Sequence, residues 1–148
     1  MAKIRSQPTG RRKAARPRRE YGATLRIYGR IPDRAAITRQ LGIAPTHTHQ
    51  KGEPWRPGSR LIHTNDMWQV KAKVRPQRSL EYHVEWLYQR LTKRTPVLRK
   101  LVRKHTVDLY CQYLSNYDQG GITLPPHVLA WCGELGIPVH VSIPHFSQ

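Results

Sequence analysis

Acidic residues are scarce in this chain. Its 148 residues carry nine Asp and Glu against 26 Lys and Arg, a formal net charge of +17. The carboxylates fall singly, which supplies none of the paired acids that general acid–base work calls for. Glu81 and Glu85 come closest, four apart at the start of a predicted helix, where they read as dipole partners facing solvent. Asp108 with His83 or His105 is the one conceivable dyad, and nothing in the spacing joins them. Cysteine is sparser still. Cys111 and Cys132 fall in a predicted strand and a predicted helix and read as reduced, buried, small apolar residues rather than a disulfide. No apolar run approaches the roughly 18 residues of a membrane span, and no apolar stretch follows the basic start as in a signal peptide. A cytoplasmic location without a membrane partner is therefore expected. Also missing are a Gly-rich phosphate loop, a nucleophile elbow and an internal repeat. His47 and His49 lack the Cys or carboxylate companions of a zinc site, and no spacing brings His63, His140 and His145 together. The expectation is no metal, no cofactor and no enzyme.

Positive charge is what the chain does have. Lys3, Arg5, Arg11, Arg12, Lys13, Arg16, Arg18 and Arg19 all precede the first acidic residue, Glu20, and Ile4 is the only large apolar residue there after Met1. Such a segment cannot bury enough surface to fold alone. Residues 1–20 are expected to be a basic tail, disordered unless bound, that neutralises phosphates. Residues 21–148 are expected to form one domain.

The domain is organised around residues 79–105. Leu80, Val84, Leu87 and Leu91 share a helical face, with Ser79 as N-cap candidate. Thr95-Pro96 then suits an N-cap with Pro at N1, so the spacing predicts two helices, 79–94 and 96–104. Their outer face is basic: Arg90, Lys93, Arg94, Arg99, Lys100, Arg103 and Lys104. Further helices are predicted over 34–41, after Asp33 and before Gly42, and over 126–135, before Gly136. Alternation predicts strands over 23–29, 67–74, 106–114 and 137–143, with Lys71 and Lys73 on the outer face of the second. The expected fold is α+β: one small domain of about four mainly antiparallel strands covered by helices, plus the flexible basic N-terminal tail. The expected core is Leu25, Ile27, Ile37, Leu41, Trp68, Val70, Leu80, Val84, Leu87, Leu91, Leu98, Leu109, Cys111, Leu129, Leu135, Val139 and Val141. Residues 43–66, rich in Pro, Gly and His, read as a long loop, either functional or poorly ordered, with Trp55 either anchoring it or stacking on a base.

Leu25-Arg26-Ile27-Tyr28-Gly29, then Gln40-Leu41-Gly42-Ile43, Pro45 and Lys51-Gly52 follow one another in a particular order. After them come Trp68, the helix with Leu80, Glu81 and His83, the Val-x-Leu-x-Cys strand at 107–111, Pro126, and Leu135-Gly136-Ile137-Pro138-Val139. In that order and spacing the chain resembles the bacterial family catalogued as domain of unknown function 4279, over about residues 21–144. The resemblance implies a small α+β domain and brings no established activity. The basic tail and basic helix pair are not features associated with that family.

The charge excess points to a polyanionic partner. The first expectation is a non-enzymatic nucleic-acid-binding accessory protein, or a subunit of a nucleoprotein complex. It would contact DNA or RNA phosphates through the tail, the helix face, Lys71 and Lys73, with Tyr28, Trp55 and Tyr88 as stacking candidates. The alternative is a protein-binding module, an immunity or adaptor protein that uses the 43–66 loop against an acidic partner. A face free of carboxylates favours the first; an exposed apolar patch near Trp55 favours the second.

Overall fold

Alternation of apolar residues along three strands builds one continuous apolar plane. In β1 (Arg19–Gly29) the inward residues are Ala23, Leu25 and Ile27. In β3 (Asp66–Lys71) they are Trp68 and Val70, and in β4 (Thr106–Ser115) Val107, Leu109 and Cys111. The antiparallel register sets Ile27 opposite Trp68 on one side and Val107 on the other, and Leu25 opposite Val70 and Leu109. The plane is seen in a computed structural model that describes residue 16 and residues 18–116 and 120–144. A short strand, β2 (His47–His49), pairs antiparallel with β3, and β5 (Val139–Ser142) pairs parallel with β4. The sheet is thus mixed and five-stranded, in the order β2-β3-β1-β4-β5.

Helices cover the apolar plane. In α1 (Arg34–Leu41), Asp33 caps the start by accepting from Ala36 N–H, and Gly42 closes the end at φ 65°, a left-handed conformation that costs glycine little. Its Ile37 and Leu41 are buried, and Trp68 Nε1 donates to Thr38 Oγ1 at 3.0 Å. Helix α2 (Leu80–Leu91) buries Leu80, Val84, Leu87 and Leu91. One turn of 3₁₀ helix (Thr92–Arg94) joins it to α3 (Thr95–Lys104), which buries Leu98 and Leu101. Helix α4 (Pro126–Leu135) is the crossover that a parallel β4–β5 pair requires. All four helices share one core with the inward strand residues.

The α+β reading holds, with several corrections. Among the described residues there are five strands rather than four, because β2 was hidden in the predicted loop. Strand β1 begins at Arg19, so Arg19 and Glu20 belong to the sheet, not the tail. Strand β3 ends at Lys71, short of Val74. Ser79 makes no capping bond through its side chain. Thr95 is the first residue of α3 rather than its cap; its hydroxyl donates to Thr92 O at 2.7 Å. Leu129 is exposed, because α4 turns Val128, Trp131, Cys132 and Leu135 inward, the cleaner i, i+3, i+4, i+7 stripe. Val141 is also exposed, lying on an edge strand.

Candidate nucleic-acid interface

The buried leucines of α2 and α3 set the phase of the basic residues. With Leu98 and Leu101 inward, Arg99, Lys100, Arg103 and Lys104 stand exposed along the opposite face of α3. Arg90, Lys93 and Arg94 are exposed at the end of α2 and its 3₁₀ turn. Pro96 lacks the N–H that would let α2 run straight on. Thr92 Oγ1, donating to Tyr88 O at 2.7 Å, and Thr95 Oγ1, donating to Thr92 O, hold the bend. Among the described residues, none of these seven cations is ion-paired with a carboxylate. Glu81 lies in the first turn of α2 and Glu85 one turn on, where Glu85 accepts from Gln89 and faces His127 Nε2 at 2.5 Å.

A groove deepens this face. Gly42, Ile43, Lys73, Trp86, Gln89, Arg90 and Lys93 line it. The Arg90 guanidinium lies 3.9 Å from the centre of the Trp86 ring and donates to Trp86 O at 3.2 Å. The Arg94 guanidinium crosses Gly42, where a Cβ would stand only 3.2 Å from its Nη2. Lys73, just past the end of β3, and the end of α2 thus hold cations on two sides of one depression. Lys71 is not among them; it points to the other face of the sheet.

Of the predicted tail residues, Arg16, Arg18 and Arg19 are placed, and Lys3, Arg5, Arg11, Arg12 and Lys13 lie outside the described residues. Asn116 ties the root of the tail: its Oδ1 accepts from Arg18 N–H at 2.7 Å and its Nδ2 donates to Arg16 O at 2.9 Å. Arg18 is neutralised by Glu20, with its Nε donating at 2.8 Å. Arg19 pairs with Ser115 at the end of β4, whereas Lys104 precedes the start of that strand. Ten residues of strand, about 30 Å, separate the tail root from the end of α3.

The aromatic candidates are dispersed. Tyr88 packs edge-on against His127 and Trp131, at 4.8 and 5.5 Å, and backs onto the core. Trp55 is 64% exposed on an arm closed by a bridge between Pro54 and Ile62. It does not anchor the loop to the core; its ring lies parallel to His63, which stacks on His49 at 3.4 Å. His49 is held below the ordinary histidine value, first by burial and then by His63 and His47. Asp66 roots the arm, accepting from Lys51 and Ile31 N–H at 2.8 Å, and these bonds hold its carboxyl below the usual range. Leu61 and Ile62 are exposed beside Trp55. His140 stands on the opposite edge of the sheet, apart from His63, and His145 lies outside the described residues. Among the described residues no group of three or more His, Cys, Asp or Glu is placed to hold a metal ion, and no helix is long and apolar enough to cross a membrane.

One grouping escaped the sequence reading. On the face of the sheet away from the helices, Arg26 donates to Asp108 through Nε at 2.7 Å and Nη2 at 2.5 Å. Its guanidinium lies 4.3 Å from the Tyr110 ring centre and 5.6 Å from that of Tyr28. Tyr110 in turn stacks with His140 of β5 at 5.4 Å. Asp108 is engaged here, not with His83, whose Nε2 bonds Arg78 O at 3.1 Å.

A family model described as Domain of unknown function (DUF4279) matches residues 19–145. No curated protein and no solved structure matches the chain.

Proposed function

The chain belongs to the DUF4279 family, whose description assigns no activity, and from the surface of this member we propose a non-enzymatic, cytoplasmic nucleic-acid-binding accessory protein or nucleoprotein subunit. The observation that carries the reading is the outer face of α2–α3: seven exposed cations, free of carboxylate partners among the described residues, beside a groove that adds Lys73. Arg103 and Lys104 complement the C-terminal end of the α3 dipole, but Arg99 and Lys100, a turn earlier, are outside that explanation. Arginine and lysine in such an array fit phosphates and read little sequence. The tail would add contacts from the far end of β4.

Fluorescence anisotropy of the full chain on labelled DNA and RNA, across a salt series, tests this. With six to ten phosphate contacts, affinity falls about 10³–10⁵-fold between 50 and 200 mM salt. Reversing Arg99, Lys100, Arg103 and Lys104 to Glu flattens the slope by about one unit for each phosphate no longer neutralised. Absence of binding at the lowest salt sinks the reading.

A second reading has its own observation. Trp55, Leu61 and Ile62 form an exposed apolar patch on the arm, next to Lys51, Arg56 and Arg60. This suits an acidic protein partner, as for an immunity or adaptor module. If it holds, Trp55→Ala with Ile62→Asp abolishes capture of that partner and leaves binding to nucleic acid intact.

A further inference from the structure

The four helices lie on one face of the sheet, and no described helix packs on the other. Strand pairing places Met67, Gln69 and Lys71 of β3, Thr24, Arg26 and Tyr28 of β1, Asp108, Tyr110 and Gln112 of β4, and His140 of β5 on that second face. A water-facing sheet surface needs only polar residues. Here planar groups form a line across three strands: His140, Tyr110, Arg26 and Tyr28, with separations of 5.4, 4.3 and 5.6 Å. The line is rigid, because Asp108, only 5% exposed, grips the Arg26 guanidinium with two hydrogen bonds. Both carboxylates that alternation turns to this face are matched by an arginine, Asp108 by Arg26 and Glu20 by Arg18. Lys71 remains as the surplus charge. Its stem lies across Gly22, where a Cβ would come within 3.4 Å of Cε.

We propose that this face is a stacking platform for single-stranded nucleic acid, unpaired bases capping the line at its two ends, Tyr28 and His140, while Tyr110, covered by Arg26 on one side and His140 on the other, props the line between them, and the backbone follows Lys71. Unpaired bases offer their flat faces to tyrosine, histidine and arginine planes, whereas a duplex keeps those faces stacked inside. The proposal rests on the nucleic-acid reading above and names a second surface for it, on the side of the molecule away from the basic helix pair. The helix face then answers to phosphates of either form, and the sheet face to unpaired bases alone.

The test measures anisotropy of the full chain with a labelled strand of about 12 nucleotides, and with the same strand annealed to its complement, at one salt concentration. Tyr28→Ala, Tyr110→Ala and His140→Ala each weaken single-strand binding by about 5- to 150-fold and leave duplex binding unchanged. Tyr110→Phe, which keeps the ring, binds as the unsubstituted chain does. Arg26 is left in place, since its loss would strand a buried carboxylate. His140 is exposed, so its variant keeps the proposal testable if Tyr110→Ala fails to fold, with melting temperature as the check. Equal losses on single strand and duplex overturn the platform, as does full single-strand binding by all three alanine variants. In the latter case, if charge reversal on α3 still weakens binding, the phosphate reading survives and only the platform falls; if the unsubstituted chain binds neither form, both fall.

Discussion

Asp108 shows how much one residue's neighbours decide. In the chain it alternates with apolar residues and sits three before one cysteine; in the fold it is an almost buried carboxylate tied to Arg26 across the β1–β4 ladder. Arg26→Ala leaves that charge without its partner and is expected to cost about 3 kcal/mol, the low end for a broken buried pair because the arginine side chain is a quarter exposed; urea denaturation measures it. His49 and His83 bear on acid stability. Burial holds both below the ordinary histidine value, so the folded chain prefers them neutral while the unfolded chain protonates first. Stability is therefore full above the ordinary value of 6.5 and falls as pH drops through it toward the folded values. Ring titration by NMR should find both groups below 6.5, and denaturation midpoints should fall between pH 7.5 and 5.5, figures bracketing the ordinary value by about one unit. The cysteines behave as the sparse count suggested. Burial pushes Cys111 up to about 12 and Cys132 to about 11, so a thiol reagent should label neither until the chain is unfolded.

At the scale of elements, periodicity carried most of the fold. The inward residues of β1, β3 and β4, the α2 stripe and the Asp33, Gly42 and Gly136 punctuation were all legible, because each signal is local. The misses have physical reasons. Strand β2 is three residues long, His47-Thr48-His49, with no alternation to see; it exists through pairing with Gln69, Trp68 and Met67, about twenty residues away. In α4 the i, i+3, i+4, i+7 stripe runs from Val128, and Leu129, one residue on, stands at its margin, so counting it inward mistook the helix phase. The two leucines make a direct comparison. Leu87→Ala should cost about 2–5 kcal/mol, since that side chain is fully buried in α2. Leu129→Ala should stay within about 0.5 kcal/mol. Thermal unfolding of the pair distinguishes them, and reversed values would overturn the helix phase.

The whole molecule contains what no segment could announce. Strand order is non-local, so the open face, and the line of rings across β1, β4 and β5, followed from pairing rather than from any motif. The same holds for the charge. The basic helix residues and the root of the tail, Arg16 and Arg18, are alike in kind but apart in place: β4 runs between them. Removing residues 1–15 takes away Lys3, Arg5, Arg11, Arg12 and Lys13 and leaves β1 whole. The truncated chain should melt within about one degree of the full chain, below the roughly 2–4 °C per kcal/mol of a chain this size, yet show a shallower salt slope on nucleic acid. A large drop in melting temperature would mean that the tail supports the fold itself.

The outer strands of the sheet have a further consequence. β2 has three residues and β5 four, outside inner strands of six, eleven and ten. Copies of a basic protein gathered along one polyanion meet at concentrations far above those in free solution, where a long bare strand would recruit its neighbour's and seed a fibre. Edges this short offer few free backbone groups to such an addition, so the fold would tolerate crowding on the polyanion proposed for it.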